Sequence, residues 1–251
     1  SYRSLARVPI SFRDLPFDAC WGCRGFSLTN NGMLALPDYN RFRAHLYNFE
    51  NGESISVGGS QGSGDNQMNF PAAAHHLRES RWVVGDSGNQ RLLLYDGDRL
   101  LKTVNGGNPG NISNLTSPTD LEVDPIKQEV YVLNSSWNRI HVYDFDLNLL
   151  RVIQTTDDGK RSDQDTDIWG ASDMALDKSG RIYIADTNRN RILVINQNGQ
   201  YLKEITFAEG SATAFRAPRG VALRSDGSIA VADTGNHRVQ ILPPIEWGEG
   251  H

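Results

Sequence analysis

The chain has 251 residues, 38% of them hydrophobic and 22% charged, with a formal net charge of −5 and a pI near 5.7. That is enough chain to bury a sizeable core in one or two domains, and its acidic balance supplies no general attraction to nucleic acid or to an anionic membrane. No apolar run approaches the roughly 18 residues of a membrane-spanning helix, and residues 1–17 lack the apolar centre of a secretory signal; no membrane insertion is predicted, any targeting segment is absent or already removed, and nothing assigns a compartment.

Residues 1–16 contain one strand-like run, Leu5-Ala-Arg-Val-Pro-Ile10, with no repeat around it. Cys20 and Cys23 follow as the only cysteines, in the order Cys-Trp-Gly-Cys. A zinc site needs two further ligands, and a redox pair of this spacing belongs in a βαβ unit that is missing. The pair therefore reads as structural thiols or a local disulfide.

From Leu34 onward one fourteen-residue pattern recurs five times: LALPDYNRFRAHLY, WVVGDSGNQRLLLY from Trp82, VYVLNSSWNRIHVY from Val130, IYIADTNRNRILVI from Ile182 and IAVADTGNHRVQIL from Ile229. Each is an alternating apolar strand, an acidic or amide turn residue, an arginine five places on, and a second alternating strand. The turn residues Asp38, Asp86, Asn134, Asp186 and Asp233 stand at intervals of 48, 48, 52 and 47, and Arg43, Arg91, Arg139, Arg191 and Arg238 follow them. A third short strand precedes each core, as in Thr119–Asp124, Ser172–Asp177 and Arg219–Arg224, and a fourth follows most of them, as in Leu149–Ile153 and Tyr201–Ile205. Repeats of this length indicate solenoids or propellers, and four antiparallel strands per repeat make a propeller blade. With abundant glycine and no sustained 3.6-residue period, the expectation is an all-β, single-domain β-propeller with repeats around 17–64, 65–112, 113–163, 164–211 and 212–251. Five blades are favoured over six. The last repeat lacks a fourth strand, so residues 1–16 are expected to supply it and leave no open edge.

The cores "VADTGNHRVQIL" and "IADTNRNRILVI", with Pro118 and Pro218 ahead of the inner strands, resemble NHL repeats; "WVVGDSGNQRLLLY" is also similar, and the cores at Asp38 and Asn134 are looser, with Arg41 and Trp137 where asparagine is usual. The resemblance implies a propeller, typically six-bladed, and a function drawn from protein-binding platforms, RNA-binding surfaces and lyases. Amidating lyases of this kind place zinc-binding histidines at the entry of several inner strands.

A group present in every repeat belongs to the framework, so the Asp/Asn and Arg series is read as capping turn amides and bridging strands. Function is expected where repeats differ. The inner-strand entries hold Arg24, Ala72, Thr119, Ser172 and Arg219, followed by Gly25, Ala73, Asp120, Asp173 and Gly220. No entry is histidine, and the six histidines are scattered, which opposes a three-imidazole zinc centre. Arg24, Thr119, Asp120, Ser172, Asp173 and Arg219 remain as channel-mouth ligand-binding candidates, with a divalent metal near Asp120 and Asp173 as an option. The longest insertion, Thr155–Ile168, carries Asp163, Asp165 and Asp167 but lacks the glycine and terminal glutamate of a calcium loop. No nucleophile elbow or phosphate loop is present, and no catalytic residue is assigned. The sequons at Asn111, Asn114 and Asn134 are about as many as chance supplies, and Asn134 occupies a turn slot, which opposes its glycosylation.

The leading expectation is thus a non-catalytic module that binds a protein partner through its loop face or channel mouth. The alternatives are a metal-dependent lyase or hydrolase at that mouth, and single-stranded RNA binding on a basic face formed by Arg41, Arg43, Arg189, Arg216 and Arg219 with Tyr39 and Trp137.

Overall fold

A computed structural model describes residues 22, 25–29, 31–107, 113–154, 168, 170–208 and 210–247. Five expectations fall outside them: the closing strand at 1–16, the cysteine pair, Arg24, Asn111 and the acidic stretch 155–167.

The described residues form nineteen strands and five single turns of 3-10 helix. Blade 1 is β1 (Ser27–Leu28), β2 (Met33–Asp38), β3 (Arg43–Asn48) and β4 (Ser54–Gly58). Blade 2 is β5 (Pro71–Arg78), β6 (Arg81–Asp86), β7 (Arg91–Asp96) and β8 (Arg99–Asn105). Blade 3 is β9 (Pro118–Asp124), β10 (Glu129–Asn134), β11 (Arg139–Asp144) and β12 (Leu149–Gln154). Blade 4 is β13 (Ala171–Leu176), β14 (Ile182–Asp186), β15 (Arg191–Ile195) and β16 (Tyr201–Ile205). Blade 5 is β17 (Gly220–Leu223), β18 (Ile229–Asp233) and β19 (Arg238–Leu242). Each sheet is antiparallel in chain order, and the five make a five-bladed β-propeller whose innermost strands line a central channel.

The core lies between blades. Alternation along β14 and β15 sends Ile184, Leu193 and Ile195 toward blade 3 and Tyr183, Ile192 and Val194 toward blade 5. Both faces of a middle strand are therefore buried, which is why its polar alternation is weak. Blade 5 departs from this. Val239 and Ile241 hold in β19 the places of Ile192 and Val194, yet they are 66% and 53% exposed where those two are fully buried. β19 has no further strand beside it among the described residues.

The recurring turn residue ties each blade together. Each of Asp38, Asp86, Asn134, Asp186 and Asp233 is fully buried at the end of a second strand, and a 3-10 turn follows it, closed by a residue in the left-handed region. Buried carboxylates need donors. The Asn69 amide donates to Asp86 Oδ1 (2.7 Å) and the Arg216 amide to Asp233 Oδ1 (2.7 Å). Asn134 Oδ1 does the same work by accepting from the Thr116 and Ser117 amides (3.1 and 2.9 Å), and its burial leaves no room for a glycan. The arginine Nε meets the second carboxylate oxygen at 2.8 Å for Arg91–Asp86, 2.9 Å for Arg191–Asp186, 2.8 Å for Arg238–Asp233 and 3.4 Å for Arg43–Asp38. Arg91 also reaches the carbonyls of Ser63 (2.6 Å), Gly64 (3.1 Å) and Gln67 (2.8 Å), so it fastens the connection between blades 1 and 2.

Antiparallel pairing sets the start of each inner strand opposite the end of its neighbour, as in Pro71 with Asp86 and Ala171 with Asp186. The 3-10 turns, the inner-strand entries and the interblade connections consequently share one face, here termed the turn face.

Removing one partner of a buried ion pair leaves a charge stranded, at a cost of about 3–5 kcal/mol. Urea denaturation of Arg91→Leu should show a loss of that size, whereas Arg224→Leu, whose contact with Asp226 is a 3.8 Å pair between exposed side chains, should change stability by less than about 1 kcal/mol.

Candidate functional site

The candidate site is the central channel. The inner strands of blades 2, 3 and 4 share an irregularity just after their first residue: β5 pairs Pro71 with Asp86 and then Ala73 with Gly85, β9 pairs Pro118 with Asn134 and then Asp120 with Leu133, and β13 pairs Ala171 with Asp186 and then Asp173 with Ala185. The skipped residues are Ala72, Thr119 and Ser172, three of the five entry residues expected at the channel mouth. A bulge re-aims the residues around it, and in blades 3 and 4 it turns the entry residue away from the channel and the next residue into it.

The skipped residues serve structural contacts. Thr119 Oγ1 donates to the Leu133 carbonyl (3.3 Å), and Ser172 Oγ lies 2.8 Å from Thr187 Oγ1 and donates to the Arg219 carbonyl (3.1 Å). Thr187 donates in turn to the Pro218 carbonyl (2.7 Å), and Ser87 makes the same contact with Pro118. The hydroxyl after the turn Asp therefore clasps the proline that opens the following blade. Arg219 is exposed on the turn face and its amide donates to the Ala232 carbonyl (2.9 Å); Thr119, Ser172 and Arg219 do not line the channel cavity.

Asp120 and Asp173 do line it. The cavity has a volume of about 410 Å³, and its wall includes Phe26, His75, Asp120, Glu122 and Asp173. Each aspartate reaches across a blade boundary: the Met174 amide donates to Asp120 Oδ2 (2.9 Å) and the Val221 amide to Asp173 Oδ2 (2.6 Å). Between blades 1 and 2 a backbone carbonyl takes the role, Gly25 accepting from the Ala74 amide (3.1 Å). The two carboxylates also lie close enough to interact directly, an arrangement that a proton shared between them would stabilise. Burial raises Asp120 from 3.8 to about 6, against the amides of Met174 and Leu121. Burial and the neighbouring Asp120 charge raise Asp173 well above the usual carboxylate range, and the same two causes raise Glu122. Burial lowers His75 to about 4, so its imidazole is neutral at physiological pH.

Glu122 and His75 are channel residues that the entry-slot reading missed. Each stands two places beyond a second-slot residue, Asp120 and Ala73, and the two-residue period of a strand carries that signal once the bulge is known. The other described histidines are placed elsewhere: His45, His76 and His141 are buried and His237 is exposed in a turn. Among the described residues no group of three or more His, Cys, Asp or Glu is spaced to hold a metal ion.

Comparison with known proteins agrees with the repeat architecture. The sequence profile of the NHL repeat matches residues 169–195 and 215–242. The chain is 43% identical over 75 residues to NHL repeat-containing protein 2 of Gallus gallus, a match spanning 27% of this chain and 10% of that protein. A virginiamycin B lyase from Staphylococcus aureus superposes with a TM-score of 0.61 at 12% identity, covering 88% of this chain and 70% of the lyase. A chain of the nidogen/laminin complex superposes with a TM-score of 0.59 at 14% identity, covering 88% of this chain and 80% of that one. At these identities the two structures share a fold with the present chain. The chain is a β-propeller, and the NHL repeat is matched in its fourth and fifth blades.

The raised carboxylate pKa values have a defined sign. A raised group contributes stability that is fully present below its unfolded value and is lost as pH rises through the folded one, so Asp120 weakens the fold as pH climbs from about 4 through about 6. Asn at this position keeps the acceptor for Met174 and gives Asp173 a permanent donor. In melting curves taken between about pH 4 and about pH 8, Asp120→Asn should gain on the wild type as pH increases; parallel curves would show that no shared proton is present.

Proposed function

We propose that this propeller is an interaction module that docks a protein partner on its turn face. The observation that supports the reading is the commitment of the channel carboxylates: Asp120 and Asp173 are each bound to the backbone of the following blade and interact with one another, so the most polar part of the channel works as blade-to-blade fastening. The side chains that vary between repeats and reach solvent lie on the turn face, at Ser136, Asn188, Arg216 and Arg219. NHL repeat-containing protein 2 is matched over a tenth of its length, so the comparison carries no activity across.

A photo-crosslinking residue placed at Ser136 or Asn188 on the turn face, and separately at Asp98 or Asn198 on the opposite face, tests the proposal in an extract of the source cells. A partner should be captured from the turn face alone and should bind the purified propeller in a titration. Capture from the opposite face only, or from neither, would refute it.

A metal-dependent lyase or hydrolase is the competing reading, favoured by the two raised carboxylates and Glu122 facing one cavity. Their oxygens suit a hard divalent ion, which would have to replace a proton shared between Asp120 and Asp173. Calorimetric titration with manganese or zinc ions at neutral pH should give no stoichiometric binding if the interaction reading holds. Binding that disappears in the Asp120→Asn, Asp173→Asn variant would favour the enzyme.

A further inference from the structure

Charge is unevenly spread over the turn face. The 3-10 turns of blades 2 and 3 offer Ser87, Gly88 and Asn89, and Ser135 and Ser136, with no ionised group among them. Blades 4, 5 and 1 place Arg189, Arg216, Arg219 and Arg41 on the same face, and Asp65 is the one carboxylate in the described turns and interblade connections there. Arg216 and Arg219 are exposed and form no ion pair with a described residue. The framework arginines Arg43, Arg91, Arg191 and Arg238 do not add to this surplus, because each pairs with its turn aspartate.

A depression of about 540 Å³ opens beside Arg216, between the turn of blade 4 and the connection leading into blade 5. Its wall includes Asn190, Ser211, Arg216, Asn236 and Arg238, and no carboxylate among the described residues. Arg238 is held by Asp233 and by the carbonyls of Ala212 and Ala214, and Asn236 by Ala214 and Asp233. Asn190 already accepts from the Ala217 amide through Oδ1 (2.7 Å), which leaves its amino group as a donor. Among the described residues the open chemistry of the depression is thus the Arg216 guanidinium and neutral donors. That set matches a carboxylate, which a guanidinium binds through two parallel hydrogen bonds.

Nucleic acid fits this surface less well. Single-stranded RNA binding depends on aromatic rings that bases can stack on. Phe215, the aromatic residue of the depression, is buried, and Tyr39 and Phe70 stack on each other at 4.7 Å in another part of the face.

We propose that the turn face over blades 4 and 5 receives an acidic segment of a protein partner, with an aspartate or glutamate side chain seated in the depression beside Arg216 and a second held by Arg219. This rests on the reading of the turn face as the docking face. It assigns that face a chemistry the repeats do not reveal, since neither arginine belongs to the recurring framework.

Fluorescence anisotropy with labelled poly-glutamate, poly-glutamine and oligouridine probes at low ionic strength tests the proposal on the whole chain. Poly-glutamate should bind, poly-glutamine should not, and Arg216→Glu, Arg219→Glu should weaken the complex by about tenfold or more, with Arg224→Glu on the opposite face leaving it unchanged. Arg216→Gln, Arg219→Gln, with a melting temperature matching the wild type, guards against a folding defect and should also lose binding. Absence of poly-glutamate binding, binding indifferent to both double variants, or oligouridine bound more tightly through the same arginines would overturn it. A partner cross-linked from Asn188 with equal yield in the charge-reversed variant would remove this inference and leave the docking-face reading intact. Loss of every turn-face cross-link would instead remove that reading.

Discussion

The fold depends on one constraint, the burial of a hydrogen-bond acceptor at the end of every second strand. A carboxylate with no exposure to water must be met by donors on all sides, and the chain meets Asp86 and Asp233 with a backbone amide from the preceding connection, an asparagine of the same turn and the arginine five places on. Those donors come from three separate parts of a repeat. The acceptor thereby fixes the turn, the strand pair and the connection relative to one another, and a buried acceptor followed by a 3-10 turn stands at this place in all five blades, although Arg41, Trp137 and Arg189 replace the turn asparagine in blades 1, 3 and 4. Asn134 shows that charge is not the requirement, since its amide oxygen collects the same backbone donors.

Between blades the fastening is different and less regular. A hydroxyl on the turn clasps the next blade's proline carbonyl at Ser87 and Thr187, and a group on the inner strand accepts the next blade's amide. That acceptor is a carbonyl at Gly25 and a carboxylate at Asp120 and Asp173. Two neighbouring carboxylates in this role meet in the channel, where low polarity favours their sharing a proton. The acidic cluster follows from how the blades are joined, which explains why residues that look like a ligand site in sequence are bound to backbone. Arg216 and Arg219 on the turn face are exposed and form no ion pair with a described residue.

Much of this architecture was legible in the sequence. The two-residue alternation, the Asp-to-Arg spacing and the constant interval define strands, turns and repeats through local rules, and a feature repeated five times has its framework role written in the repetition. The entry slots were harder. Thr119 and Ser172 align with channel positions by simple counting, yet a bulge after the first residue of the inner strand hands that position to Asp120 and Asp173 and, through the strand period, to Glu122 and His75. Register shifts arise from packing between blades and leave no mark in the local pattern.

By itself the sequence determined the class of fold and the recurrence of one strand-turn-strand unit, because each rests on contacts close along the chain. Tertiary structure alone decided which variable residues face the channel, that Asp120 and Asp173 fasten adjacent blades, and that Arg216 stands beside an open depression. Those relations join residues from different blades. Strand register and the stacking of one sheet on the next set them, and neither is encoded in any single repeat.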